Sequence, residues 1–161
     1  MKKYKWILIL FNLIVLFVFF NRSVIENEYI LKEGKLVLLE LAPVDPRSLM
    51  QGDYMALRYK IAGELDSIPF LRGYCAVKLQ ANGIVSAIRL QEHKTLVAAD
   101  EQLIQYTKTG YHHLNIGSES FFFQEGEAEK YAGAKYGGLK VDKDGNSLLI
   151  GLYDEILNKI E

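Results

Sequence analysis

Fifteen positions from Trp6 to Phe20 are apolar with one polar interruption, Asn12, and the run shows no polar face. That pattern predicts a membrane helix rather than an amphipathic surface helix. The stretch VIENEYILKEG, residues 24–34, mixes apolar and charged positions and extends the helix as a stalk until Gly34 supplies a stop. Beyond Gly34 the period changes. KLVLLELAP places Val37, Leu39 and Leu41 on one face and Leu38 and Glu40 on the other, a first strand closed by Pro43. DYMALRYKIA repeats the alternation, with Met55, Leu57, Tyr59 and Ile61 on one face and Tyr54, Ala56, Arg58 and Lys60 on the other. LRGYCAVKLQ and GIVSAIRLQ flank Asn82-Gly83, which predicts a hairpin with a type I′ turn, both central residues having positive φ. YHHLNIG and SESFFFQEG read as two further strands, and LKVDKDGNSLLIGLYD as a final hairpin around Asp144-Gly145. Between them EGEAEKYAGAKYGG carries Glu125, Glu127 and Glu129 at its start and Lys135 with a Gly pair at its end, the charge polarity and stop of a short helix from Glu127 to Tyr136.

These runs predict a mostly β, α+β protein: an N-terminal transmembrane helix followed by a small antiparallel β-sheet or partly open barrel with one short helix. Residues 1–23 are the cytoplasmic basic start and signal anchor, 24–34 the helical stalk, and 35–161 one extracytoplasmic β-rich domain of ordinary single-domain size. Ten Tyr, eight Phe and only three Pro among 161 residues exclude a disordered or collagen-like chain.

Charge and its placement decide location. Lys2, Lys3 and Lys5 precede the apolar run and Arg22 alone follows closely, so the positive-inside bias leaves the N-terminus in the cytoplasm and the body outside the inner membrane. Fifteen helical residues rise about 22 Å, short of the ~30 Å hydrocarbon core, so spanning recruits Tyr4 and Trp6 at one interface and Asn21, Arg22, Val24 and Ile25 at the other. Trp6, Phe11, Phe17 and Phe20 are the bulky members of this anchor. Phe17 to Phe20 lack the small residues that a cleavage site requires, which favours an uncleaved anchor. The 19 basic and 20 acidic residues are scattered, and a net charge of −1 argues against nucleic-acid binding.

Candidate chemistry is sparse. Cys75 is the one cysteine, so neither a disulfide nor a thiolate metal cluster can form within the chain, and its neighbours Ala76 and Val77 suggest a buried, inert thiol. Pro46, Leu49, Gly52 and Asp53 resemble the stretch that follows the nucleophilic serine of signal peptidases. Registered on Leu49 and Gly52, however, the nucleophile position falls on Val44, which has no hydroxyl. Ser48, in a Pro-containing loop, has the ordinary role of bonding nearby backbone, and Lys60 and Lys78 fall where alternation predicts solvent, not the desolvated setting of a lysine base. His112 and His113 point to opposite faces of a strand, and His93 is remote in sequence, so no histidine zinc site is expected. Glu125, Glu127 and Glu129 suit a helix start, and VDKDGNS suits a hairpin turn, better than either suits a cation loop. Neither cofactor nor metal is expected, and the protein is read as no enzyme.

GDYMALRY, Gly52 to Tyr59, matches the pattern Gly-Asp-Tyr-x-x-Leu-x-Tyr at all five fixed positions, and the chain resembles the bacterial GDYXXLXY family named for it. The preceding DPRS loop, with Asp45 and Arg47, and FFFQEGEAEKYAGAKYGGLKVDKDGN downstream are similar too, so the likeness covers roughly residues 36–152. The resemblance implies an envelope protein with an N-terminal membrane segment, in some members associated with larger multi-pass membrane proteins, and it supplies no reaction. Within the motif, Gly52 permits a turn at the strand entrance and Asp53 can cap loop amides or pair with Arg47. Leu57 and Tyr59 face inward. Tyr54 either points outward beside Arg58 as a contact for a partner or packs under the short helix. The expected function is a single-pass, membrane-anchored, non-catalytic binding or assembly module docking onto an envelope membrane protein. A Ser-Lys hydrolase, or a lipid- or glycan-binding β domain, is the alternative.

Overall fold

The computed structural model describes residues 2–42, 54–63, 70–95, 98–109 and 113–161. A single long helix, α1 (Lys2–Glu33), is followed by antiparallel strands and two helical turns. At 1.5 Å per residue, its 32 residues extend about 48 Å. From Tyr4 to Glu33 the helix is long and apolar enough to cross a membrane, and the domain buries none of the apolar window. No domain surface competes for those side chains, so their packing is left to surrounding lipid or another helix.

The strands are β1 (Lys35–Glu40), β2 (Tyr54–Ala56), β3 (Arg72–Leu79), β4 (Val85–Gln91), β5 (Glu101–Thr109), β6 (His113–Asn115), β7 (Ser120–Phe122), β8 (Tyr136–Val141) and β9 (Ser147–Tyr153); the helical turns are α2 (Lys60–Gly63) and α3 (Ala128–Tyr131). They form three sheets, ordered β1-β8-β9, β4-β3-β5-β6 and β2-β7, with every named pairing antiparallel. The two larger sheets touch at opposite ends. The Leu38 N–H donates to Gly83 O at 2.8 Å, and the Gln105 N–H donates to Gly145 O at 2.8 Å. The sheets curl around a shared core without closing into a barrel.

That core includes Val37 and Leu39, the inward pair of β1 read from sequence, together with residues of strands whose facing the sequence did not assign. Val37, Leu39, Cys75, Val77, Ile104, Tyr106, Leu139, Val141 and Leu152 are buried together, each on the inward side of its strand. Three tyrosine rings use strand glycines as their floor. A Cβ at Gly73 would stand 3.1 Å from the Tyr106 ring, one at Gly137 would stand 2.9 Å from Tyr59, and one at Gly138 would strike the Tyr153 ring. Rings laid over glycine restore the apolar cover that a missing side chain leaves.

Several local expectations are corrected. The strand expected through residues 53–62 keeps ladder pairing only to Ala56, and residues 60–63 turn into α2, so Lys60 lies on a helical turn. Asn82 does not have the positive φ that a type I′ turn demands. Only Gly83 does, at +84°, and its N–H donates to Gln80 O at 3.0 Å, a turn completed by a glycine bulge. The short helix is four residues rather than the stretch from Glu127 to Tyr136, and the Gly pair expected to end it lies inside β8, where the tyrosine rings need it. The longest strand, β5, was not foreseen at all.

The hairpin of β8 and β9 turns on Asp142, whose Oδ1 accepts the N–H groups of Asp144 and Asn146 at 2.8 Å each, with Gly145 at φ +87°. Asp154 repeats the device, accepting from Ile156 at 3.0 Å and Asn158 at 2.8 Å. An aspartate whose oxygen is shared by two amides holds a turn, which is the role the sequence assigned to this stretch over cation binding.

Cys75 is buried at 3% exposure, and desolvation pushes its thiol pKa up to about 12. We expect it to stay unmodified by a thiol reagent at pH 8 in the native protein and to react fully on unfolding, as a dithionitrobenzoate assay would record. Rapid native reaction would contradict the burial. Because the folded pKa is raised, this group's contribution to stability is complete below about pH 9, where the unfolded thiol ionises, and falls as pH climbs toward 12.

Candidate functional site

The motif segment is held from both sides. Tyr54, Met55 and Ala56 pair with Phe122, Phe121 and Ser120 of β7, and the Leu57 N–H continues the contact to Glu119 O at 2.7 Å. On the other side, Arg58 O accepts the Ala42 N–H at 2.7 Å, and Tyr59 bridges Leu41. Although ladder pairing stops at Ala56, burial alternates to the end of the motif: Met55, Leu57 and Tyr59 are buried, while Ala56, Arg58 and Lys60 are exposed.

Tyr59 is the anchor of this arrangement. Its hydroxyl donates to Ser118 O at 2.6 Å and its ring lies on Gly137, so one side chain ties the motif to the loop before β7 and to β8. Burial, with the nearby Glu119 carboxylate, raises the phenol pKa well above its ordinary value, and the hydroxyl remains a neutral donor. Glu119 closes the same loop by accepting the Ile116 N–H at 2.5 Å. Sequence reasoning missed Ser118, Glu119 and Gly137, and only the glycine pair carried a signal that could have pointed to them.

Behind β2 and β7 the aromatic rings gather. Tyr131 of α3 lies edge-on to Phe121, with centroids 5.0 Å apart, and 5.3 Å from Phe123. The opposite face carries Phe122, 74% exposed, with Ala56 and Arg58 on the neighbouring segment. Position 54 is the register partner of Phe122. Asp45, Arg47, Ser48, Gly52 and Asp53, and the side chain of Tyr54, lie outside the described residues, as does His112. The outward and inward placements weighed for Tyr54, and the Asp53–Arg47 pair, therefore fall there too.

The lysines weighed as bases are engaged otherwise. Lys60 pairs with Glu40 at 3.3 Å and Lys78 with Asp100 at 2.9 Å, all four side chains being substantially exposed. Hydrogen bonding to Asp100 raises the Lys78 pKa, the opposite of what a catalytic base requires. Beside α2 a cleft of ≈ 350 Å³ is lined by Leu39, Glu40, Lys60, Ile61, Val85 and Ile88, and the Lys60–Glu40 pair makes it a polar groove. Among the described residues no group of three or more His, Cys, Asp or Glu side chains could hold a metal ion.

A helix of membrane length, joined to a curled antiparallel domain whose described motif residues alternate between buried and exposed, defines the class of protein. The chain belongs to the GDYXXLXY protein family, whose model matches residues 16–152, a family of unknown function. No curated protein and no solved structure matches the chain.

Proposed function

We infer that the protein is a single-pass, membrane-anchored binding or assembly module, with its N-terminus in the cytoplasm and its β domain outside the inner membrane. The domain docks onto an integral membrane protein of the cell envelope and performs no catalysis of its own. The observation that carries this reading is the division of the motif segment: Met55, Leu57 and Tyr59 fasten it to the core, while Arg58, and Phe122 on the paired strand β7, are exposed. An exposed aromatic and an exposed arginine on paired or adjoining segments have the composition of an interface hot spot. Orientation is supported by the three lysines before the apolar run.

The test is affinity purification of the full-length protein from its own membranes at native expression, with crosslinking and mass spectrometry. A stoichiometric membrane partner is expected, lost in Tyr54→Ala and Arg58→Ala while the near-ultraviolet circular dichroism of both variants stays unchanged. A protein that emerges alone, or a partner indifferent to both substitutions, would overturn the reading.

A further inference from the structure

Asn12 is the one polar residue between Trp6 and Phe20 and stands within about a residue of the middle of that run. An asparagine amide has two N–H donors and a carbonyl acceptor, and hydrocarbon offers a partner for none of them. Asn21, at the end of the apolar run, solves the same problem locally by donating to Phe17 O at 2.8 Å. The Asn12 amide has no such bond among the described residues. A polar side chain so placed is satisfied by another helix.

The geometry of α1 restricts whose helix that is. Ile30 follows Asn12 by eighteen residues, five turns of 3.6, so both lie on one face, together with Leu8, Leu16 and Phe19. Ile30 is buried where the last turns of α1 meet β8 and β9, so the β domain overhangs the Asn12 face. Two copies joined Asn12 to Asn12 about a two-fold axis would each bring its domain to the axis, where the two collide. A helix of a different protein does not meet this obstacle. Ile30 stands five residues, about 8 Å, beyond Ile25 at the outer interface, which leaves room for the chain that follows a partner helix to leave the bilayer beneath the domain.

We propose that Asn12 is an intramembrane contact of this protein, hydrogen-bonded to a polar side chain in a transmembrane helix of a different membrane protein that packs along Leu8, Asn12, Leu16 and Phe19. This rests on the docking reading above and adds a second contact surface, at the depth of the bilayer centre. The opposite face, with Leu10, Ile14 and Phe17, is left to lipid.

The experiment places a photoreactive benzoylphenylalanine at Leu8 or Leu16, and separately at Leu10 or Phe17, in the full-length protein in its own membranes. Expected from Leu8 or Leu16 is one discrete adduct, whose crosslinked peptide maps to an apolar membrane segment of another protein, and from Leu10 or Phe17 no protein adduct. Asn12→Leu should cut the yield roughly 3- to 15-fold, the range of interhelical hydrogen bonds in membranes, while Asn12→Gln retains most of it. Equal yields from both faces, an adduct of two copies of this chain, or indifference to Asn12→Leu would each overturn the proposal. If a partner is still recovered through the motif while the Asn12 result is negative, docking stands and the intramembrane contact falls. If no partner is recovered in either experiment, both fall.

Discussion

Tyr59→Ala is expected to lower the stability of the β domain by about 3–5 kcal/mol, the cost of deleting a buried aromatic and leaving its volume empty. The ring is 4% exposed, lies on Gly137 and belongs to the same cluster as Val37, Leu39 and Leu139, so the core loses a member shared with both β1 and β8. Tyr59→Phe separates the ring from the hydroxyl. It keeps the contact with Gly137 and removes only the donor to Ser118 O, so about 1–2 kcal/mol is expected. Urea unfolding of the full-length protein in detergent, followed by near-ultraviolet circular dichroism, measures both. Equal losses for the two variants would mean that the ring packs less well than its burial implies.

Gly34→Ala should be nearly as damaging, by about 3 kcal/mol, for the opposite reason. A Cβ there would collide with Ile30 O and stand 3.1 and 3.2 Å from the backbone N and O of Val141. All three atoms are backbone, so no rotamer change relieves the clash, and α1 would have to part from β8. Gly34 also closes the helix, donating to Ile30 O at 2.9 Å and accepting Lys140 Nζ at 2.8 Å. Faster proteolysis between residues 24 and 36 should accompany the loss. Gly63→Ala, where a Cβ meets nothing within 4 Å, is the control and should fall within about 0.5 kcal/mol of the parent.

What could be read from sequence depended on what the pattern reports. The inward set Met55, Leu57 and Tyr59 was legible although the strand carrying it ends at Ala56, because alternation records which side meets the core and not whether the backbone is paired. The long helix and its stop at Gly34 were legible for the same reason: apolarity over many residues is a strong signal. β5 was not, because its inward positions begin with Gln102, buried only because its amide donates to Asp142 O at 2.7 Å, a partner forty residues away. Gly137 and Gly138 were misread because glycine both ends helices and makes room for rings, and nothing local says which. The exposed side of the candidate site was partly legible in Arg58; Phe122 became part of it only through the register of β2 with β7. Gly52 and Asp53 fall outside the described residues, so their share of the motif stays with the reading from sequence.

The junction at Gly34 has a mechanical consequence. A single residue, Gly34, separates α1 from β1, with Ile30 and Lys140 bracing the joint, so there is no slack between the long helix and the domain. Membrane helices tilt by about 20° on average, and the angle responds to bilayer thickness. With a stiff joint, the tilt of α1 in a bilayer would become a lever swing of the whole domain, and the surrounding lipid would aim its exposed residues.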